Sequence, residues 1–159
     1  MNDRDFRQQD LVLPIGFAIS ARGTVVGNDR YKPDLLISHE GTAVAVVESS
    51  STGDRKVALG ELLQAQKFFE GQCSPGILIF SLCGRGATAP RPETQVSYLR
   101  PYFLYLCRSA AAGLTSVHIV PQFSFSSSIT ALLIGGRPEG VKSLELNNAM
   151  QLDTRPLRR

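Results

Sequence analysis

Tryptophan is absent from this sequence, histidine occurs twice and cysteine three times, and each shortage removes a class of chemistry. Cys73, Cys83 and Cys107 are odd in number, far apart and without a CxxC pair or a neighbouring pair of histidines. That spacing indicates neither a disulfide framework nor a zinc site, and buried, reduced thiols are expected. His39 and His118 stand alone in strand-like runs and are expected to be structural. The motifs GxSxG, HExxH and GxGxxG do not occur, which removes the serine-hydrolase elbow, the zinc-peptidase helix and the dinucleotide fingerprint. No stretch approaches the roughly 18 uninterrupted apolar residues that span a bilayer. The opening MNDRDFRQQD lacks the basic-then-apolar order of a signal peptide, so a cytoplasmic location is expected.

What is present describes an ordinary globular chain. Its 159 residues are 43% apolar and 19% charged, enough to bury one core without staples, and a single domain over 1–159 is expected. The formal net charge of +3 is compatible with a polyanionic partner but does not identify one. The terminal Arg155, Arg158 and Arg159 could touch phosphates, although a short basic end is more often solvated.

Along the chain, Leu11 to Arg22 is apolar but interrupted by Pro14 and Gly16, which predicts a short helix or an irregular segment. Two β-rich runs follow, Asp34 to His39 and Thr42 to Ser49, with Glu40 and Gly41 as their turn. The second run is continuously apolar from Ala43 to Val47, as in a central strand covered on both faces. A polar turn at 50–53 leads to Asp54 as N-cap of a helix whose Leu59, Leu62, Leu63, Gln66 and Phe69 recur at helical spacing. Ile77 to Cys83 predicts another buried strand, and Glu93 to Ala112 a helix that Pro101 kinks or restarts. Val117 to Phe123 and Leu144 to Leu146 read as strands, while the type of the SSSITALLIGG segment stays open. The order implies an α/β fold, a three-layer sandwich with helices flanking a central mixed β-sheet.

Within that order, Pro33-Asp34 opens one strand and Glu48 lies near the end of the next, so a hairpin brings two carboxylates to one sheet edge. Hard carboxylate oxygens, a backbone carbonyl and waters are what Mg²⁺ or Mn²⁺ accepts, and such an ion activates water and stabilises charge on a phosphate. The bland alternative is that Asp34 caps a turn and Glu48 merely ends a strand. Glu48 follows five apolar residues, however, and a buried carboxylate is costly unless it is paired or metal-bound. Cys83-Gly84-Arg85-Gly86 could cradle a phosphate with free amides, but it lacks the Walker lysine pattern and reads as a turn.

The string Pro33-Asp34, a hairpin, an apolar strand ending in Glu48-Ser49-Ser50 and an amphipathic helix resembles the PD-(D/E)XK nuclease superfamily, whose core order is α-β-β-β-α-β. The resemblance covers about residues 11–83, with 84–159 as C-terminal additions, and it implies a restriction-endonuclease-like core. It further implies metal ligation by Asp34, Glu48 and the backbone carbonyl of Ser49, with Mg²⁺ or Mn²⁺ as cofactor and DNA (or RNA) as partner. The implied activity is an endonuclease hydrolysing phosphodiester bonds, a two-fold homodimer being the simplest way to cut both strands.

Where that family places a lysine, this sequence has Ser50, which carries no charge. Branches of the superfamily move the lysine to the following helix, and SSSTGDRK fits that arrangement. The helix offers Lys56 and Lys67, eleven residues and about three turns apart on one face. Lys56 is favoured because it follows the turn that leaves Glu48. Gln66 falls on the apolar face and must have a partner, either the site, as in many of these nucleases, or strand backbone. The rival reading from the same scaffold is a catalytically inactive protein that binds nucleic acid or a protein partner, motivated by Ser50.

Overall fold

In the computed structural model the described residues are 3–28, 30–50, 54–82, 91–108 and 112–146. The Cys83–Gly86 turn, residues 51–53, residues 109–111 of the expected 93–112 helix and the basic tail lie outside them. The elements run α1 (Asp3–Arg7), β1 (Phe17–Ala21), β2 (Leu35–His39), β3 (Thr42–Ser50), α2 (Arg55–Gly71), β4 (Pro75–Leu82), α3 (Pro92–Cys107), β5 (Gly113–Pro121), α4 (Phe125–Leu133) and β6 (Lys142–Glu145).

The six strands form one sheet in sequence order. β1, β2 and β3 are an antiparallel meander, β3, β4 and β5 are parallel, and β6 returns antiparallel on β5. The hairpin between β2 and β3 turns on Glu40 and Gly41 with φ of 48° and 82°, the doubly left-handed backbone that matches strand twist. Parallel neighbours need crossovers, and α2 and α3 supply them.

Side-chain alternation divides the interior into two apolar layers. Leu36, Val46, Leu78, Phe80, Val117 and Ile119 pack with Leu62 and Phe69 of α2 and Leu99 and Phe103 of α3. Leu35, Ile37, Ala45, Val47, Ile79 and Val120 pack with Phe6 of α1 and Phe125 and Ile129 of α4. The continuous apolar run of β3 is therefore used on both faces, as a central strand covered by helices on both sides requires. Burying each large side chain is worth roughly 1.5–3 kcal/mol, so these layers dominate stability.

One reading of the sequence is corrected and one open segment is assigned. The segment 11–22, expected to be a short helix or irregular, ends in β1, whose alternating half-buried and exposed residues suit an edge strand. Pro14 and Gly16, the latter at φ of 86°, keep the preceding residues from helix, and the N-terminal helix is Asp3–Arg7 instead. The undecided segment is α4, with Phe125, Ile129 and Leu132 on its buried side at helical spacing. α3 passes through Pro101 without ending there. Among the described residues no helix is long and apolar enough to cross a membrane.

Candidate functional site

Leu35 pairs with Val47 in the antiparallel register, so Asp34, one residue before β2, lies beside Glu48. Glu48 in turn pairs with Phe80 of β4, and Ser49 and Ser50 with Ser81 and Leu82. The two carboxylates thus meet at the carboxyl ends of the parallel strands, where open α/β sheets receive ligands. Both are buried, Asp34 at 5% and Glu48 at 6% exposure. Burial at that level leaves protein groups as the main source of compensation for any charge they carry.

That compensation is unevenly shared. The Asp34 amide donates to Glu48 Oε2 at 3.3 Å, tying the two residues directly. Asp34 Oδ1 accepts from Arg7 Nε at 2.7 Å and lies 2.6 Å from Arg7 Nη2. Asp34 Oδ2 accepts from the Ser49 amide and the Ser49 hydroxyl, each at 2.8 Å. Four donors match the roughly four lone-pair sites of a carboxylate, so Asp34 is saturated. Glu48 has a neutral donor, the Tyr31 hydroxyl on Oε1, and the Asp34 amide.

Electrostatics follow that difference. Burial pushes the Glu48 carboxyl up to about 7, against the lowering effect of the Tyr31 hydrogen bond. The Asp34 charge raises it further, and the Asp34 amide and Arg7 pull it down. Burial first, then the negative field of Glu48, its hydrogen bond and the carboxylates of Glu61 and Asp34, drive the Tyr31 phenol above its ordinary range. Tyr31 therefore stays a protonated donor at neutral pH, while Glu48 sits near the point of exchanging its proton.

The residues expected to act here are distributed unequally. Asp34, Glu48 and Ser49 come together, through a bulge between Ile37 and Ser38 that shifts the hairpin register by one residue. Ser50 is buried at the end of β3, on the same face as Glu48 by alternation. Lys56 is exposed in the first turn of α2, where its amide donates to the N-cap Asp54 at 2.9 Å. Lys67 is exposed and lines a cavity that the Tyr31 ring also lines. The cation acting on both carboxylates is Arg7, from α1.

Gln66 goes elsewhere. Its Oε1 accepts from the Leu114 amide at 2.7 Å and from the Cys107 thiol at 3.4 Å, and its Nε2 donates to Glu70 at 2.8 Å. Leu114, the second residue of β5, pairs with Gly76 at the start of β4, at the opposite end of the sheet from Glu48. A Cβ at Gly113 would fall 2.4 Å from the Gln66 amide, so glycine at that point is what lets the amide reach the strand. Of the two expected partners for Gln66, the structure supplies strand backbone.

Three contributors escaped the sequence reading. Arg7 lies 27 residues from Asp34, Tyr31 sits 17 residues from Glu48, and Glu61 acts on the site through its field on Tyr31. No local spacing links such positions, although a tyrosine three residues before Asp34 was a visible cue.

The remaining titratable groups behave structurally. His118 is buried between the Ser116 hydroxyl at 2.9 Å and the Ser143 hydroxyl at 2.7 Å, and burial, helped by the charge of Arg137, lowers its pKa to about 4. Cys107 is a buried free thiol pushed up to about 12 by burial and then by the charge of Glu70. Cys73, expected to be buried, is exposed, because it follows the end of α2 in a left-handed turn with φ of 51°. Among the described residues no group of three acidic, histidine or cysteine side chains is placed to hold a metal ion. No protein-family model matches the chain, and neither a curated protein nor a solved structure matches it.

Proposed function

We propose that the chain is a divalent-metal-dependent phosphodiesterase acting on DNA, with a restriction-endonuclease-like core and its centre at Asp34 and Glu48. The observation that carries this reading is the meeting of the two carboxylates, buried side by side at the carboxyl ends of β3 and β4, with Arg7 bonded to Asp34 and reaching Glu48 through its field. The element order α1-β1-β2-β3-α2-β4 supports it, since the nuclease core of the resemblance runs α-β-β-β-α-β.

The donor set suits a hard divalent ion at Glu48, which keeps acceptor capacity and has its carboxyl pushed up to about 7 by burial. Asp34 suits it once Arg7 withdraws, and the Arg7 side chain, 38% exposed, can leave without opening the core. Asp34, Glu48 and the Ser49 carbonyl would hold the ion, which supplies a water of lowered pKa and charge on the phosphate. Around them, Tyr31 fixes the rotamer of Glu48, and the Ser49 amide and hydroxyl fix that of Asp34. Arg7 neutralises Asp34 in the resting protein and, when displaced, is a planar donor suited to phosphate. Ser50 adds no charge, so Lys56 is the lysine assigned to the nucleophile.

The second reading, an inactive scaffold binding nucleic acid or a protein, is favoured by the same Arg7, which already neutralises Asp34. Cleavage of duplex, single-stranded and branched DNA in Mg²⁺ and in Mn²⁺, alongside melting curves, separates the two. The enzyme reading expects cleavage, and a melting temperature that rises with millimolar metal in the wild type but not in Glu48→Ala. It also expects a larger metal-dependent rise in Arg7→Gln, where the competing cation is gone. Absence of cleavage and of any metal-dependent shift in wild type and Arg7→Gln establishes the inactive reading.

A further inference from the structure

A cavity of about 200 Å³ lies between the turn at Val26–Asn28, Tyr31 and the second half of α2. Its aromatic wall is Tyr31 and Phe68, with ring centroids 6.1 Å apart and planes at 56°. Around it stand three side-chain amides, Asn28, Gln64 and Gln72, and the ammonium of Lys67. Ligand cavities for drug-sized molecules run to roughly 300–1,000 Å³, so this one accepts a single ring system and no more.

We propose that this cavity is a subsite for one unpaired nucleobase, which makes the substrate of the neighbouring carboxylates a single-stranded or locally unpaired nucleic acid. The inference rests on the phosphodiesterase reading for what happens to the strand, but its binding chemistry stands apart from it. An amide carries both donors and an acceptor, so Asn28, Gln64 and Gln72 can match the mixed edge of a base that is not hidden in a pair. Behind them Tyr31 and Phe68, 5% and 7% exposed, close the cavity with an aromatic wall against which a planar ring packs. Lys67 brings positive charge to the rim, where a strand entering the cavity carries its phosphate. Tyr31 joins the two places, because its ring lines the cavity while its hydroxyl donates to Glu48. A base against that ring therefore stands one phenol away from the carboxylate.

The test uses the full chain in EDTA, so that binding is read without cleavage. Fluorescence anisotropy is followed with three 3′-fluorescein probes: a mixed-sequence ten-nucleotide single strand, the same sequence as a duplex, and the same length of abasic single strand. The single strand is expected to bind at least tenfold more tightly than either of the others. Gln64→Ala on α2 combined with Gln72→Ala at its C-cap, both exposed, should weaken it tenfold or more while the melting temperature holds. Equal affinity for the three probes, no binding of any, or unchanged binding in the double variant overturns the subsite. Cleavage in Mg²⁺ then separates this failure from that of the enzyme reading. Duplex cut equally by wild type and the double variant keeps the phosphodiesterase without the subsite, whereas tight single-strand binding with nothing cleaved keeps the subsite without the phosphodiesterase.

Discussion

The two ends of the sheet bury polar groups in opposite ways. Where β4 and β5 begin, Gln66 is a neutral amide whose oxygen and nitrogen are both used, on Leu114, Cys107 and Glu70. Where β3 and β4 end, Glu48 is an acid held by a neutral phenol and one long amide hydrogen bond, and Asp34 beside it takes the direct bonds of Arg7. A satisfied buried amide stabilises and specifies packing, while a buried carboxyl left short of positive charge stores a demand for a ligand or a proton. Telling the two apart required partners, because on sequence spacing both residues are polar intruders in apolar surfaces.

The largest expected effect breaks this contrast at the carboxylate end. Glu48→Ala should reduce metal-dependent cleavage by on the order of a hundredfold or more, while the metal-free protein still folds, because loss of a buried carboxyl beside Asp34 offsets the loss of the acceptor for the Tyr31 hydroxyl and the Asp34 amide. Removing an underpaired buried carboxyl relieves repulsion with Asp34, so a marked drop in melting temperature with cleavage retained would reverse the assignment of roles.

The lysines on α2 sharpen it next. Lys56→Ala should cost about a hundredfold in kcat with KM little changed, since a charge acting on the nucleophile is felt in the transition state. Lys67→Ala should chiefly raise KM, because Lys67 lines the cavity beside Tyr31. Single-turnover and steady-state kinetics on the two variants decide the matter, and a severe kcat loss in Lys67→Ala alone moves the nucleophile's cation to the second half of the helix.

At the other end the expected loss is of stability. Gln66→Ala leaves the Leu114 amide buried without an acceptor and opens space beside Gly113, which together should cost about 2–4 kcal/mol in urea denaturation. Activity per folded molecule should stay within about twofold of wild type if Gln66 is purely structural. A selective loss of turnover at full folding would return Gln66 to the site.

The smallest effect is a pair of opposed pH slopes. Glu48 ionises near 4.5 in the unfolded chain and about 7 when folded, so between those values only the folded state holds the proton and stability falls as pH rises. His118 protonates near 6.5 when unfolded and about 4 when folded, so over that interval the unfolded state holds the proton and stability rises with pH. One proton in each direction nearly cancels between pH 4.5 and 6.5 in the wild type. Glu48→Gln should unmask a rising slope of about 1.4 kcal/mol per pH unit, and His118→Asn a falling one of similar size. Denaturation midpoints across that range check both signs, and parallel slopes in the two variants would mean that neither group titrates as described.

The sequence by itself determined the elements whose signals are local: the Glu40-Gly41 turn, the apolar run of β3, the Asp54 cap and the spacing of α2. It placed Asp34 and Glu48 near one another across a hairpin, but the pairing itself came from the structure: the two-residue turn alone would set Asp34 opposite Val47, and the bulge between Ile37 and Ser38 shifts the register to bring it beside Glu48. It could not assign the type of Phe17–Ala21 or Phe125–Leu133, short apolar segments whose periodicity suits more than one element until neighbours cover a face. Nor could it find the company the carboxylates keep. Arg7 reaches Asp34 from a helix packed on the α4 side of the sheet, and Tyr31 reaches Glu48 from within the α2 layer. Only the tertiary structure brings those chain-distant residues together, so only it decided that Asp34 is saturated and Glu48 is not.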